Sequence, residues 1–580
     1  MMKVLSDSNA NWRYRFCLAL ACLSPLIAAV LTCALKGYGL NIFRAMPVAT
    51  DEVLWYTQVK AVAEFGRPLG YFGYNGTHAA LGTAGPWGIA SSLPYALVMS
   101  VFGQGYGVMV VANIIFITLA IFAFAKMTSA REKDLLLISA ICLFAATLTN
   151  YTVFSMAETL RYAVGILLSG MVVKLARGGA TAMFKYIATP LAALTGALLH
   201  APHAVFVPVL IYLVLDRLKP WARSLGALGA AGVAGGFAMW LSGATSAPFW
   251  REGLSRTEVF LSYLRASFPR LFVPFFGYLE ARVLEDVPLS VSWAGEYAKD
   301  PYYFTTIAFM WVLFFIITAL MCKEALSPVG ASKKRKAMFC AFAAICSISS
   351  AVYAIKYTLF ARAVFYAAAA GTAVLFVREL FKNGGRHTEK QKITLSAFAL
   401  ISLYILAFAL LYPTNIDNYS RSMFCGVIAL LFLIAAQYDK RPALVLLSLL
   451  AMIFPFAWRY LDDSYDANRF PKRAVIEMIE TTAEELYDVM TVSAENSRWD
   501  NTVVSFTLDK TLLALPAGLA INYYSDIVTA NSGSLDCGAR YVWLADGIDE
   551  ESKKQDFYSN IGYSEIYTNN NGRLLERARR

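Results

Sequence analysis

The stretch "TDEVLWYTQVKAVAEFG", residues 50–66, begins with a threonine followed by two adjacent acids. A carboxylate in such a place can act as a general base, removing a proton from a hydroxyl or amine as that group attacks an electrophilic carbon, provided the leaving group is held nearby. It can also do no more than start a helix. Thr50 then caps, and Asp51 and Glu52 sit in the first turn, stabilised by unpaired N–H groups and the positive end of the helix dipole. On that plain reading Trp55, Val59 and Val62, spaced i, i+4, i+7, lie against a membrane surface while Thr57, Lys60 and Glu64 face water.

Further ionisable residues stand where they could meet an anionic or polyhydroxyl ligand. "SMAETLRYAVG" (155–165) places Glu158 and Arg161 one helical turn apart, either as a local i, i+3 ion pair or as ligands, Arg161 for a phosphate and Glu158 for a hydroxyl. "LLHAPHAVF" (198–206) sets His200 and His203 at a turn, suited to hydrogen bonding with phosphate or with the turn itself; a metal would need a third ligand that the local sequence lacks. Lys356 and Arg362, in "AIKYTLFARAVFY", are either interfacial snorkelling cations or phosphate ligands, and Arg362 leads that pair. "YPTNIDNYSRS" (412–422) adds Asp417, Asn418, Tyr419 and Arg421, which fit sugar or phosphate contact or a solvated hairpin. Glu280, Arg282, Glu285 and Asp286 read as a solvated face or as an acceptor-side lining. Asp462, Asp463 and Asp466 read as a polar junction or as ligands for a hard divalent cation, the one cofactor the sequence suggests. No P-loop, Rossmann fingerprint, HExxH or Cys/His metal pattern occurs.

The elements that must position these residues are mostly apolar. Of 580 residues 58% are hydrophobic and 16% charged, with a mean hydropathy of +0.51, which fits a polytopic membrane protein and not a soluble one. The net charge of +11 comes in short clusters between apolar segments, such as "SKKRKA" (332–337), as cytoplasmic loops do; it points to topology and not to nucleic acid. Apolar segments centre near residues 25, 115, 142, 168, 192, 210, 232, 311, 347, 371, 402, 430 and 451, giving roughly 13 crossings. The basic loops alternate correctly only if "PWGIASSLPYALVMSVFG" (86–103) lies in the outer interface and does not cross. The N-terminus is then cytoplasmic, and the loops 36–105 and 242–301 and the tail from 461 are extracytoplasmic. The expected fold class is mainly α: a transmembrane helical domain over 1–460 and a small C-terminal extracytoplasmic α/β domain over 461–580. In that tail 472–490 has helical periodicity, "TVVSFTL" (502–508) and "RYVWLAD" (540–546) read as strands, and 563–578 reads as a hairpin around Asn-Gly. The cysteines lie in apolar segments, Cys537 apart, and make no disulfide framework. A bacterial inner membrane is the expected home.

A cytoplasmic N-terminus, the "TDE" start of a first outer-loop helix, the Gly-Pro element in "HAALGTAGPWG" (78–88), about 13 spans and a terminal extracytoplasmic domain together resemble the GT-C superfamily of integral-membrane glycosyltransferases. In architecture the chain is similar to the aminoarabinose and protein O-mannosyl transferases of that superfamily. The resemblance implies a polyprenyl-phosphate-linked sugar as donor, a glycan, lipid or protein acceptor, and a catalytic acid in the first outer loop. That acid falls on Asp51, with Glu52 as neighbour and second choice. The Trp-Trp-Asp signature of oligosaccharyltransferase subunits is absent. The expected chemistry is single displacement with inversion. A glycan polymerase or ligase is the rival enzyme, and a lipid-linked sugar flippase is the rival transporter. The flippase would want ionisable groups near the bilayer midplane.

Overall fold

The computed structural model describes residues 2–48, 50–68, 88–245, 387–411, most of 425–435, 465, 467–490, 502–505, 514–515, 520–523, 540–545, 559–560 and 562–578, with isolated positions besides. Lys356, Arg362 and Arg421 lie outside the described residues, as do 417–419, the acids and arginine of 280–286, and Asp462, Asp463 and Asp466.

The described chain is mainly helical. In order come α1 (Met2–Leu35), α2 (Thr50–Phe65), α3 (Ile89–Phe102), α4 (Val108–Met127), α5 (Glu132–Phe144), α6 (Ala146–Thr152) and α7 (Glu158–Ala176). They are followed by α8 (Thr189–Leu199), α9 (Phe206–Val214), α10 (Pro220–Thr245), α11 (Glu389–Leu411) and α12 (Arg473–Val489). Among the described residues four segments are long and apolar enough to cross a membrane: Trp12–Leu35, Val108–Met127, Glu158–Ala176 and Pro220–Thr245. The apolar run near 142 is not one straight helix: α5 ends at Ala145, whose ψ of 86° leaves the helical region, and α6 resumes after it.

Small residues let α7 sit at the centre of the helical body. A Cβ on Gly170 would come within 2.7 Å of Met127 Cε on α4, and one on Gly165 within 3.2 Å of Ala429 Cβ. Ser169, one turn from Gly165, donates to the Ala429 carbonyl at 3.1 Å. This is the small-residue packing that membrane helices use where close backbone approach replaces the hydrophobic effect. Most of α7 is consequently buried, whereas α10 leaves Leu225, Leu228, Val233 and Trp240 exposed.

The 14 residues of α3 extend about 21 Å, short of the ~30 Å hydrocarbon core. One face, Tyr95, Ala96 and Met99, is buried, and the other exposes Leu93, Leu97 and Val101 at helical spacing. An apolar stripe on a helix too short to span is the form of an interfacial helix.

The tail carries α12 and a five-stranded sheet of order β2-β1-β3-β5-β4, from β1 (Thr502–Ser505), β2 (Ala520–Tyr523), β3 (Tyr541–Ala545), β4 (Tyr563–Asn569) and β5 (Gly572–Arg577). β1 runs parallel to both β2 and β3, and β5 runs antiparallel to β3 and β4. Asn569 closes the β4–β5 hairpin, its Oδ1 accepting the Asn571 N–H at 2.8 Å and the Gly572 N–H at 3.2 Å. Ile479, Ala483 and Leu486, at i, i+4, i+7 on α12, share a core with Tyr541, Trp543 and Leu574 of the sheet.

That same core takes in α2. Val53, Trp55, Tyr56, Val59 and Val62 pack with Tyr95 and Met99 of α3 and with the tail residues just named. The plain two-faced reading of α2 is therefore corrected. Thr57 and Lys60, placed toward water by the periodicity, are buried, and only Glu64 of the three is exposed. Packing of α2 against α3 on one side and the tail on the other buries the positions that periodicity alone would leave to solvent, except near its C-terminal end at Glu64.

Candidate active site

The first turn of α2 is fixed from outside the helix. Glu52 is fully buried, and its carboxylate faces Arg469 in a two-pronged pair, Nη1 to Oε1 at 2.6 Å and Nη2 to Oε2 at 2.9 Å. The Val48 N–H donates to Oε2 at 3.1 Å and the Ser155 N–H to Oε1 at 2.9 Å. The Arg469 guanidinium lies 4.2 Å from the Phe154 ring centre. A planar guanidinium matches a carboxylate in just this fork geometry and stacks on aromatic faces. Asp51 precedes Glu52 in the same helical turn.

The loop that reaches Glu52 through Ser155 is held in part by an asparagine of α4 and by the Tyr95 hydroxyl, which donates to the Met156 carbonyl at 3.0 Å. Asn113 Nδ2 donates to the carbonyls of Phe154 at 2.8 Å and Thr152 at 3.1 Å, and its Oδ1 accepts the Tyr95 hydroxyl at 2.6 Å. Three residues beyond Ser155, α7 begins with Glu158.

Glu158 and Arg161 form the i, i+3 pair, Nη1 to Oε1 at 3.2 Å. Glu158 Oε2 and Arg161 Nε are both buried, and among the described residues neither has a hydrogen-bond partner. His203 Nε2 donates to the Arg161 carbonyl at 2.8 Å, which places a proton on that nitrogen. The His200 ring packs 4.7 Å from that of His203, and His200 Nδ1 is likewise buried and unpartnered among the described residues. Four ionisable side chains named separately in the sequence thus come together at one place. Asn150 on α6 and the Ser155 hydroxyl on the loop between α6 and α7 also keep buried polar atoms without a described partner. Buried polar groups are ordinarily satisfied, so such a concentration marks a place built for something polar. Among the described residues no group of three or more His, Cys, Asp or Glu side chains is placed to hold a metal ion.

The far half of α2 is tied to the tail. Lys60 donates from Nζ to the Leu515 carbonyl at 2.7 Å. Burial pulls its ammonium down from 10.5 to about 8, with the Glu64 carboxylate acting in the opposite direction. Tyr56 donates its hydroxyl to the Gln104 carbonyl, and burial, reinforced by nearby Tyr106, pushes its phenol up.

Arg469 and Asn113 were not named by sequence reasoning, and Lys60 was named only as facing water. Arg469 lay inside "RYLDDSYDANRF", where the aspartates drew attention. Asn113 gave a usable signal, a lone amide in a 20-residue apolar helix. Lys60 gave none, because its helical position looked solvated.

No family model and no curated protein matches the chain. Among solved structures, ArnT from Cupriavidus metallidurans bound to undecaprenyl phosphate aligns over 96% of this chain and 97% of that one, at 10% identity and a TM-score of 0.35. The apo form of the same protein aligns over 95% and 97%, at 10% identity and a TM-score of 0.32. At that identity and score no residue role is carried across, and the roles below rest on this chain's own geometry.

Proposed function

We propose that the chain is an integral-membrane glycosyltransferase that moves a sugar from a polyprenyl-phosphate donor to an extracytoplasmic glycan, lipid or protein acceptor. The observation that carries the proposal is a chain of contacts: the Ser155 N–H ties Glu52, next to Asp51 in sequence, to the loop that leads into α7, and at the start of α7 the Glu158–Arg161 pair meets the His203 ring through the Arg161 carbonyl. A lipid phosphate brings its headgroup to the membrane interface, where helices long enough to span meet the interfacial helix α3.

In the proposed reaction Asp51 takes the proton of the acceptor hydroxyl or amine as its heteroatom bonds to the anomeric carbon. The bond from that carbon to the phosphate oxygen breaks, the electron pair leaves with polyprenyl phosphate, and the anomeric configuration inverts. Glu52 is committed to Arg469 and two backbone amides, so the base is assigned to Asp51 and Glu52 serves as its anchor. Arg161, with Lys356, Arg362 and Arg421 from other outer loops, meets the developing charge on the leaving phosphate. Glu158, His200 and His203 hydrogen-bond sugar hydroxyls or phosphate. The tail, packed on α2, shapes the acceptor side. The N-terminus is cytoplasmic and the tail extracytoplasmic.

The test is turnover of radiolabelled polyprenyl-phosphate sugars by the protein reconstituted in vesicles. Asp51→Asn is expected to abolish release of lipid phosphate, with folding matched by gel filtration. Full turnover in Asp51→Asn refutes the assignment of the base. Uptake of intact lipid-linked sugar without its cleavage would favour the flippase.

A further inference from the structure

We propose that Arg469, at the entry to the tail, is a positioning residue for the acidic first turn of α2, acting through Glu52 to hold the backbone turn that carries Asp51. The proposal rests on the reading of Asp51 as the base. It starts from a pair of charges separated by 417 residues in sequence and buried completely together. A buried ion pair pays heavily in lost hydration, and apolar residues of the same volume commonly give equal or better stability. What apolar residues cannot supply is direction. Both guanidinium prongs, the Val48 N–H and the Ser155 N–H leave the Glu52 carboxylate one orientation. Successive residues of an α-helix are turned by about 100° about its axis, so fixing Glu52 fixes the azimuth of Asp51, its neighbour in sequence.

Arg469 is itself held from several sides. Its carbonyl accepts the Met46 N–H at 2.9 Å, its guanidinium lies over Phe154, and Nη1 reaches the Val153 carbonyl at 3.4 Å. Tyr465, four residues earlier, donates its hydroxyl to the Thr149 carbonyl at 2.9 Å. Tyr465 and Arg469 therefore tie the connection before α2, at Met46, to α6 and the connection before α7, the two connections that lead into the helices carrying Asp51 and Glu158. Among the described residues the charged group paired with Glu52 is Arg469; Glu158 and Arg161 lie on α7, which begins three residues beyond Ser155, and Lys60 and Glu64 lie two or more turns further along α2.

The experiment compares wild type, Arg469→Met, Arg469→Lys, Glu52→Gln and the double variant Glu52→Gln/Arg469→Met in vesicles, using a panel of radiolabelled polyprenyl-phosphate pentoses and hexoses. Rates are counted per folded molecule. Arg469→Met is expected to lower kcat about 100-fold, the cost of a misplacement near 1 Å, with KM for the donor within about threefold of wild type. Adding Glu52→Gln to Arg469→Met is expected not to restore kcat. Arg469→Lys, which keeps the charge and loses the fork, recovers part of kcat. An unchanged kcat per folded molecule in Arg469→Met overturns the proposal, whatever happens to stability.

If wild type cleaves no donor, the transfer reading fails by itself, and hydrogen exchange then decides the positioning role. In Arg469→Met the amides of Val48 and Ser155 and the first turn of α2 should exchange at least tenfold faster, while residues 60–65, held by the tail, keep their protection. Unchanged exchange at both amides overturns the proposal.

Discussion

Lys60→Met isolates the attachment of α2 to the tail through a pH dependence of known sign. The Lys60 ammonium is buried against the Leu515 carbonyl, and its pKa falls from 10.5 to about 8. Between those values the unfolded chain binds a proton that the folded protein does not, so stability rises with pH across that window. At 1.36 kcal/mol per unit, the gap corresponds to about 3 kcal/mol gained between pH 8 and 10.5. The contact survives deprotonation, since a neutral amine still donates to a carbonyl. The assay is denaturation by sodium dodecyl sulfate in mixed micelles, run from pH 7 to 10.5 on wild type and Lys60→Met. Subtracting the two cancels every other titrating group. Wild type should gain about 3 kcal/mol over the variant as the pH rises. Glu64→Gln, which removes the carboxylate that partly offsets burial, should start the gain at lower pH. A difference flat across the window would mean that Lys60 stays hydrated and that the tail does not seal this face of α2.

Further outcomes follow from the same packing. Trp55→Ala, which removes a fully buried indole packed edge-on to Tyr95, should cost about 3–5 kcal/mol in the same denaturation assay. Asn113→Leu leaves the Thr152 and Phe154 carbonyls without their amide donor, while the Tyr95 hydroxyl keeps the Met156 carbonyl at 3.0 Å; the expected cost is at least about 2 kcal/mol, seen also as faster hydrogen exchange in 149–156. Gly107→Ala would bring a Cβ to within 1.5 Å of the Phe43 carbonyl oxygen, a clash only backbone movement can relieve, so yield of folded protein should fall sharply. By contrast, Arg473→Ala breaks the exposed pair with Glu477 on α12 and should change stability by no more than about 0.5 kcal/mol.

The sequence by itself determined whatever is local. Runs of some 20 apolar residues make spanning helices because hydrocarbon leaves the backbone no partner but itself, and α1, α4, α7 and α10 follow from that alone. The helix starting at Thr50, the periodicity of α12 and the hairpin at 563–578 are equally short-range and equally legible. β2 was not legible, because "AINY" is four residues long and gains strand character only by pairing with β1.

Tertiary structure alone decided how these pieces face one another. Periodicity finds the two sides of α2 but assumes that one of them meets water, and only the folded chain shows α3 and the tail closing over both. The partner of Glu52 lies 417 residues away and that of Lys60 lies 455 residues away. No local pattern encodes such pairs, since a buried charge is stabilised by whichever group the fold delivers to it. Glu158 and Arg161 were legible as a pair because one helical turn joins them. Their meeting with His200 and His203 depends on α7 packing against the turn after α8, where the absence of side chains on Gly165 and Gly196 lets the backbones approach.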